Sequence, residues 1–207
     1  MPNNNYLEGA YAGGITFFGL PMQQNILAPL SLDNLIKTVC PARIIEIGTA
    51  LGGLSVLFRL CNAEFVTYDI EDVRFDKGLF DSLGIDFRLA DCFEREKEIA
   101  DLIQKEGTTL LFCDGGDKPK EFKTFARYLK PGDVICAHDY APEDPTFWRW
   151  EEIDDSVLTP ELGVEKFLVD NMRPAAWLCC KKLPTTDSLT NGQPRTRVAV
   201  KRNMGGI

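Results

Sequence analysis

His138 is the only histidine in this 207-residue chain. Its seven cysteines form no Cys-x-x-Cys pair, no apolar run is long enough to span a membrane, and basic residues are in deficit, 23 Lys and Arg against 31 Asp and Glu. Each shortage excludes a class. An odd number of cysteines, most of them inside apolar runs, argues against a disulfide framework and for buried reduced thiols. A net charge of −8 argues against a duplex-DNA reader, which presents a basic face, so no nucleic-acid partner is expected. A local basic patch near 118–130 stays open, and the basic residues of GGDKPKEFK at 115–123 read as a solvated face, with phosphate binding the alternative. The opening MPNNNYLEGA carries no charged-then-apolar leader pattern. The expectation is a cytoplasmic protein with no membrane partner; a homo-oligomer is allowed. No repeat or low-complexity tract stands out, and the length suits one α/β domain.

What the chain does have is RIIEIGTALGG at 43–53. A continuous apolar run is followed by an acid, a glycine-rich turn and the start of an apolar helix. A buried parallel strand passes its backbone to a bound nucleoside in this way. Gly48 allows a sharp turn at positive φ, and Gly52 and Gly53 are expected to leave room for a ligand against the backbone. The motif points to an adenosine-type cofactor.

The rest of the pattern supplies a sheet. Residues 1–30 are punctuated by Gly, Asn and Pro and read as an irregular arm or lid before a domain over 31–207. Helical spacing begins near Ser31 with Leu32, Leu35 and Ile36. Strands are expected at 43–47, 64–70, 85–91, 108–114 and 131–139, with helices at 94–106 and 120–129 between them. Val164, Phe167 and Leu168 predict a helix over 163–172. AAWLCCKKL at 175–183 and RVAVKR at 197–202 read as an antiparallel hairpin. The fold class is therefore α/β: a single Rossmann-like domain, a mostly parallel seven-stranded sheet with an antiparallel C-terminal hairpin, helices on both faces.

Acids close the strands. Asp69 ends the second, roughly twenty residues after the turn, where a carboxylate accepts from both ribose hydroxyls. Asp91 ends the third, with Cys92 and Phe93 beside it, where it can reach an adenine edge. Asp114 ends the fourth, and a carboxylate there can face a sulfonium or ammonium group. His138-Asp139 end the fifth.

With these residues in view, the chain over about 40–202 resembles the class I S-adenosylmethionine (SAM)-dependent methyltransferases. EIGTALGG looks like their first glycine motif, with Ala50 where a second glycine of G-x-G-x-x-G would stand, and Asp69 falls where they carry the ribose-binding acid. The resemblance implies SAM as cofactor, held by Glu46, Gly48, Thr49, Ala50, Gly52, Gly53, Asp69, Ile70, Asp91, Cys92 and Asp114. The acid after the fourth strand and the acidic pair after the fifth look like the metal-dependent O-methyltransferases of the catechol, macrocin and cephalosporin-pathway (CmcI-like) groups. That implies a divalent cation, Mg²⁺ or Mn²⁺, on Asp114, His138 and Asp139. Two positions depart from the pattern: His138 stands where a carboxylate or amide is usual, and Asp117 where a base is usual, with Lys118 next along. The catalytic set read here is His138, Asp139 and Lys118.

The expected reaction is O-methylation of a small-molecule hydroxyl, as on a sugar or polyketide. Trp148, Arg149 and Trp150 lie where a substrate-covering insertion would follow the fifth strand; they can bind the acceptor or simply fill space under a loop. Two other readings stay open. One is an NAD(P)-dependent oxidoreductase, against which Ala50 and the absence of a Tyr-x-x-x-Lys pair count. The other is a non-catalytic cofactor-binding protein of the same fold.

Overall fold

Apolar runs without alternation become the middle of a sheet, because only a strand covered on both faces tolerates them. The structure, a computed structural model, describes residues 15–22, 24, 28–140, 153–170 and 177–184. In chain order the elements are β1 (Ile15–Phe17), β2 (Leu20–Met22), α1 (Ala28–Val39), β3 (Arg43–Ile47), α2 (Gly53–Arg59), β4 (Glu64–Asp69), α3 (Lys77–Ser82), β5 (Asp86–Leu89), α4 (Glu96–Gln104), β6 (Thr109–Cys113), α5 (Lys118–Ala126), β7 (Val134–Ala137), β8 (Val164–Asp170) and β9 (Trp177–Lys182). The seven-stranded sheet runs β5-β4-β3-β6-β7-β9-β8. The first five strands are parallel, and β9 pairs antiparallel with both β7 and β8.

Strand alternation sorts the core into two layers. Ile45, Ile47, Val66, Leu111, Ile135 and Leu178 face α4 and α5. Ile44, Phe65, Phe112, Val134, Cys136 and Trp177 face α1, α2 and the β1–β2 hairpin. Phe112 anchors the second layer between Phe58 and Trp177, with ring centroids 5.4 and 5.0 Å away. All seven cysteines are free, and five are buried, as the sequence led us to expect.

The structure corrects the sequence reading in three places. Within the 163–172 expected to be helical, the structure has strand β8, Val164–Asp170, instead. Its pairing with β9 slips between Lys166 and Leu168, and a bulge of this kind breaks the alternation. Apolar residues then fall at spacings of three and four, which mimic a helix. The antiparallel hairpin is consequently β8–β9, and the expected partner strand at 197–202 lies outside the described residues. The arm is also less irregular than expected: β1 and β2 form a tight hairpin whose central residues, Phe18 and Gly19, both have positive φ, 51° and 80°.

The sheet order changes direction at β3, which lies between β4 and β6. Ligands in such sheets bind beyond the carboxyl ends at that point. Among the described residues, no helix is long and apolar enough to cross a membrane.

Candidate functional site

The glycine turn is shaped first by its own protein. Gly48 has φ +93°, and a Cβ there would lie 2.2 Å from the Asp114 carbonyl oxygen. The first turn therefore touches the backbone that follows β6, which brings the two strand ends together. The expectation that Gly52 and Gly53 leave room for a ligand is corrected. A Cβ on Gly52 would strike the Phe80 ring at 2.3 Å, and one on Gly53 the Pro21 carbonyl oxygen at 2.5 Å. Their missing side chains admit α3 and the arm hairpin instead.

Two acids brace the turn. The Asp69 carboxylate accepts the Ala50 N–H at 2.8 Å and the Glu71 N–H at 3.0 Å, so it is fixed against the glycine turn itself. Ala50 holds φ 46°, an uncommon conformation for a residue with a side chain, supported here by that bond. Glu46 is fully buried below the turn and accepts from the Ser55 hydroxyl at 2.5 Å. Burial pushes its carboxyl pKa up to about 8 against the opposing effect of the Ser55 and Thr67 hydroxyls, so it is protonated at neutral pH. Among the described residues its Oε1 has no partner. Thr49 is tied by its hydroxyl to that of Thr67 at 2.6 Å. Ile70, next to Asp69, is an exposed apolar side chain. Asp91 caps the following turn through the Phe93 N–H at 2.8 Å. Cys92 is buried, and its thiol pKa is pushed up to about 12 by burial, so it is an inert neighbour of that turn.

The second cluster gathers the ends of β6 and β7 with the start of α5. His138 Nδ1 lies 3.1 Å from Asp114 Oδ1 and 3.3 Å from Asp139 Oδ1. Carboxylates only accept, so Nδ1 carries the proton. Lys118 Nζ lies 3.1 Å from Asp139 Oδ2 and 3.7 Å from Asp114 Oδ1, and donates to the Gly115 carbonyl at 3.2 Å. Gln24 Nε2, reaching in from the arm, donates to Asp114 Oδ2 at 2.8 Å. Asp139 holds φ 58°, a backbone conformation sparsely used by residues other than glycine and one that concentrates at functional sites.

Burial lowers the pKa of the His138 imidazole, but the Asp114 carboxylate, its hydrogen bond and the Asp139 carboxylate outweigh that effect, and the net value stands above 6.5. Among the described residues, buried His138 Nε2 has no partner, nor has Trp177 Nε1 on the neighbouring ring, whose centroid is 4.7 Å from the imidazole.

Of the residues read from sequence, the structure brings together Asp114, Lys118, His138 and Asp139 on one side and Thr49, Ala50 and Asp69 on the other. Trp148, Arg149 and Trp150 lie outside the described residues. Gln24 escaped the sequence reading because nothing in the arm marks it. Glu121 escaped it too, although a signal existed. Asp117 caps α5 by accepting the Lys120 N–H at 3.1 Å. Glu121 reaches back to the N–H groups of Asp117 and Gly115, both at 3.2 Å, a relative of the capping box. Burial raises its pKa to about 7.

The structure brings together the metal ligand set expected on Asp114, His138 and Asp139. Their ligand atoms do lie within 4.8 Å of one another. Yet every oxygen of the two carboxylates already faces a protein donor: His138 and Lys118 at Asp114 Oδ1, Gln24 at Asp114 Oδ2, His138 at Asp139 Oδ1, and Lys118 at Asp139 Oδ2. A divalent cation there would compete with these donors for the same oxygens.

No family model matches the chain, and no curated protein matches it in sequence. Solved structures do share its fold. CmcI in its apo N160 form is 14% identical, with a TM-score of 0.63 over 89% of this chain and 85% of that one. The O-methyltransferase TomG from Streptomyces achromogenes, involved in tomaymycin synthesis and solved with SAM, is 15% identical, with a TM-score of 0.55 over 78% and 82%. Human N-acetylserotonin methyltransferase, also solved with SAM, is 13% identical at a TM-score of 0.53. That match covers 76% of this chain but only 52% of the human one, so the chain spans about half the length of that neighbour. The fold is the Rossmann-like fold that these methyltransferases share.

Proposed function

We propose that this protein is a SAM-dependent methyltransferase acting on a hydroxyl of a small-molecule acceptor. The observation that carries the reading is the docking of two acid-bearing strand ends at the switch point. Asp69 is locked to the glycine turn, and that turn packs directly on Asp114, which orients the only imidazole in the chain.

When bound, SAM supplies an electrophilic methyl group. Asp69 accepts hydrogen bonds from the ribose hydroxyls. The protonated Glu46 carboxyl, whose Oε1 has no partner among the described residues, offers its O–H to a polar group of the cofactor. His138 acts as the base. Asp114 and Asp139 fix its Nδ1–H tautomer, leaving the Nε2 lone pair to take the acceptor's proton as the methyl carbon leaves sulfur for oxygen. Alignment of the acceptor oxygen with the methyl group, and exclusion of water around it, are the enzyme's main contribution. This reading uses no metal.

The nicotinamide alternative is not favoured. Dinucleotide-binding sheets of the doubly wound kind continue parallel beyond their fifth strand, whereas here β9 enters antiparallel beside β7. Titration calorimetry with S-adenosylhomocysteine, SAM and NADH tests the reading. The first two should bind and NADH should not. Absence of heat with both sulfur compounds would sink it.

A further inference from the structure

We infer that Lys118 is the resident cation of this site, occupying the electrostatic role that a divalent metal would otherwise fill, so that the protein is a metal-independent member of its fold. The inference rests on the methyltransferase reading for its meaning but on different atoms for its support.

Lys118 is an improbable place for a lysine on local grounds. It is the first residue of α5, where the helix dipole repels a positive charge, and it is 2% exposed. A buried cation persists only when paired and hydrogen-bonded. Its partners include Asp139 at 3.1 Å, Asp114 at 3.7 Å and the Gly115 carbonyl at 3.2 Å. Sequence spacing explains the placement. Asp114 and Lys118 are four apart across a turn whose last residue, Asp117, caps the helix. The cap fixes where α5 begins, and so where the Lys118 side chain starts.

A dication on Asp114 and Asp139 would have to displace Lys118 from Asp139 and strip the proton from His138 Nδ1. The displaced ammonium would then lie buried against a like charge. Lys118 and a metal are therefore alternatives for one set of oxygens.

The probe is Mn²⁺ alone, titrated into the full chain and followed by the paramagnetic resonance signal of the free ion. S-adenosylhomocysteine is titrated into the same samples. Wild type should show no saturable Mn²⁺ binding, and its affinity for S-adenosylhomocysteine should be unchanged by a chelator. Lys118→Met, which leaves the acid pair uncompensated, should gain Mn²⁺ affinity by at least about tenfold. Adding Asp139→Asn to it should abolish the gain. Lys118→Gln replaces it if the methionine variant loses its circular dichroism signature.

One Mn²⁺ bound per wild-type chain overturns the inference. So does a folded Lys118 variant that still ignores Mn²⁺, since the ammonium would then not be what excludes the metal. Failure of S-adenosylhomocysteine to bind wild type strikes the methyltransferase reading instead and leaves the metal result to be judged by itself.

Discussion

Glu46→Gln offers a quantitative test of the buried base of the glycine turn. The folded carboxyl titrates near 8, against 4.5 for an ordinary glutamate, so between those values the native state holds a proton that the unfolded chain has released. Stability attributable to this group is undiminished below pH 4.5 and falls as pH rises across the window. At about 1.4 kcal/mol per pH unit, the loss amounts to about 5 kcal/mol once the window is crossed. Glutamine copies the shape of the neutral acid and does not titrate. It keeps an oxygen for Ser55 but brings an amide N–H₂ with no acceptor, a fixed penalty of about 1–3 kcal/mol. Near pH 5 the variant should therefore be slightly less stable than wild type. Near pH 8.5 it should be more stable, and the difference should climb by about 4 kcal/mol between the two. Urea unfolding of both proteins at a series of pH values measures it, provided the slopes with denaturant match. Parallel stability curves would refute the argument, because they would mean that Glu46 is ionised in the native state.

Other outcomes follow from the same geometry. Gly48→Ala should cost about 1–3 kcal/mol from its positive φ alone, and more from the Asp114 carbonyl it would strike, read as a lowered melting temperature. Asp69→Ala should weaken S-adenosylhomocysteine binding by at least about tenfold in calorimetry, since charge-assisted bonds to a ligand are worth about 1.5–3 kcal/mol; unchanged affinity would remove its ribose role. His138→Gln should abolish turnover while leaving cofactor affinity within a few-fold. In wild type, the turnover rate should rise with pH through a value above 6.5, because the imidazole must be neutral to accept a proton and its carboxylate neighbours hold it protonated longer. A rate independent of pH across that range would exclude His138 as the base.

The parallel half of the fold was legible because its inner strands are buried on both faces and its acids sit where the apolar runs stop. RIIEI, EFVTYD and TLLFC show this plainly, and Asp69 and Asp114 follow directly. The antiparallel half was legible only in β9, within 175–183, because the slip between Lys166 and Leu168 disguised β8 as a helix. In the site, residue types and strand ends could be read, but the direction of each side chain could not. Asp114, His138 and Asp139 look like ligands on paper; only the positions of Lys118 and Gln24, one on a helix start and one on the arm, show that their oxygens are already spoken for. The glycines taught the same lesson, since a missing side chain makes space without saying who takes it.

The reversed direction of β9 has an effect beyond closing the sheet. Its first residue, Trp177, lands at the rim where five neighbours depart, and its indole leans on His138. On the methyltransferase reading, the glycine turn governs the nucleoside while a stretch far downstream stands beside the base. Changes in that late hairpin should then alter acceptor choice and leave the grip on the methyl donor untouched.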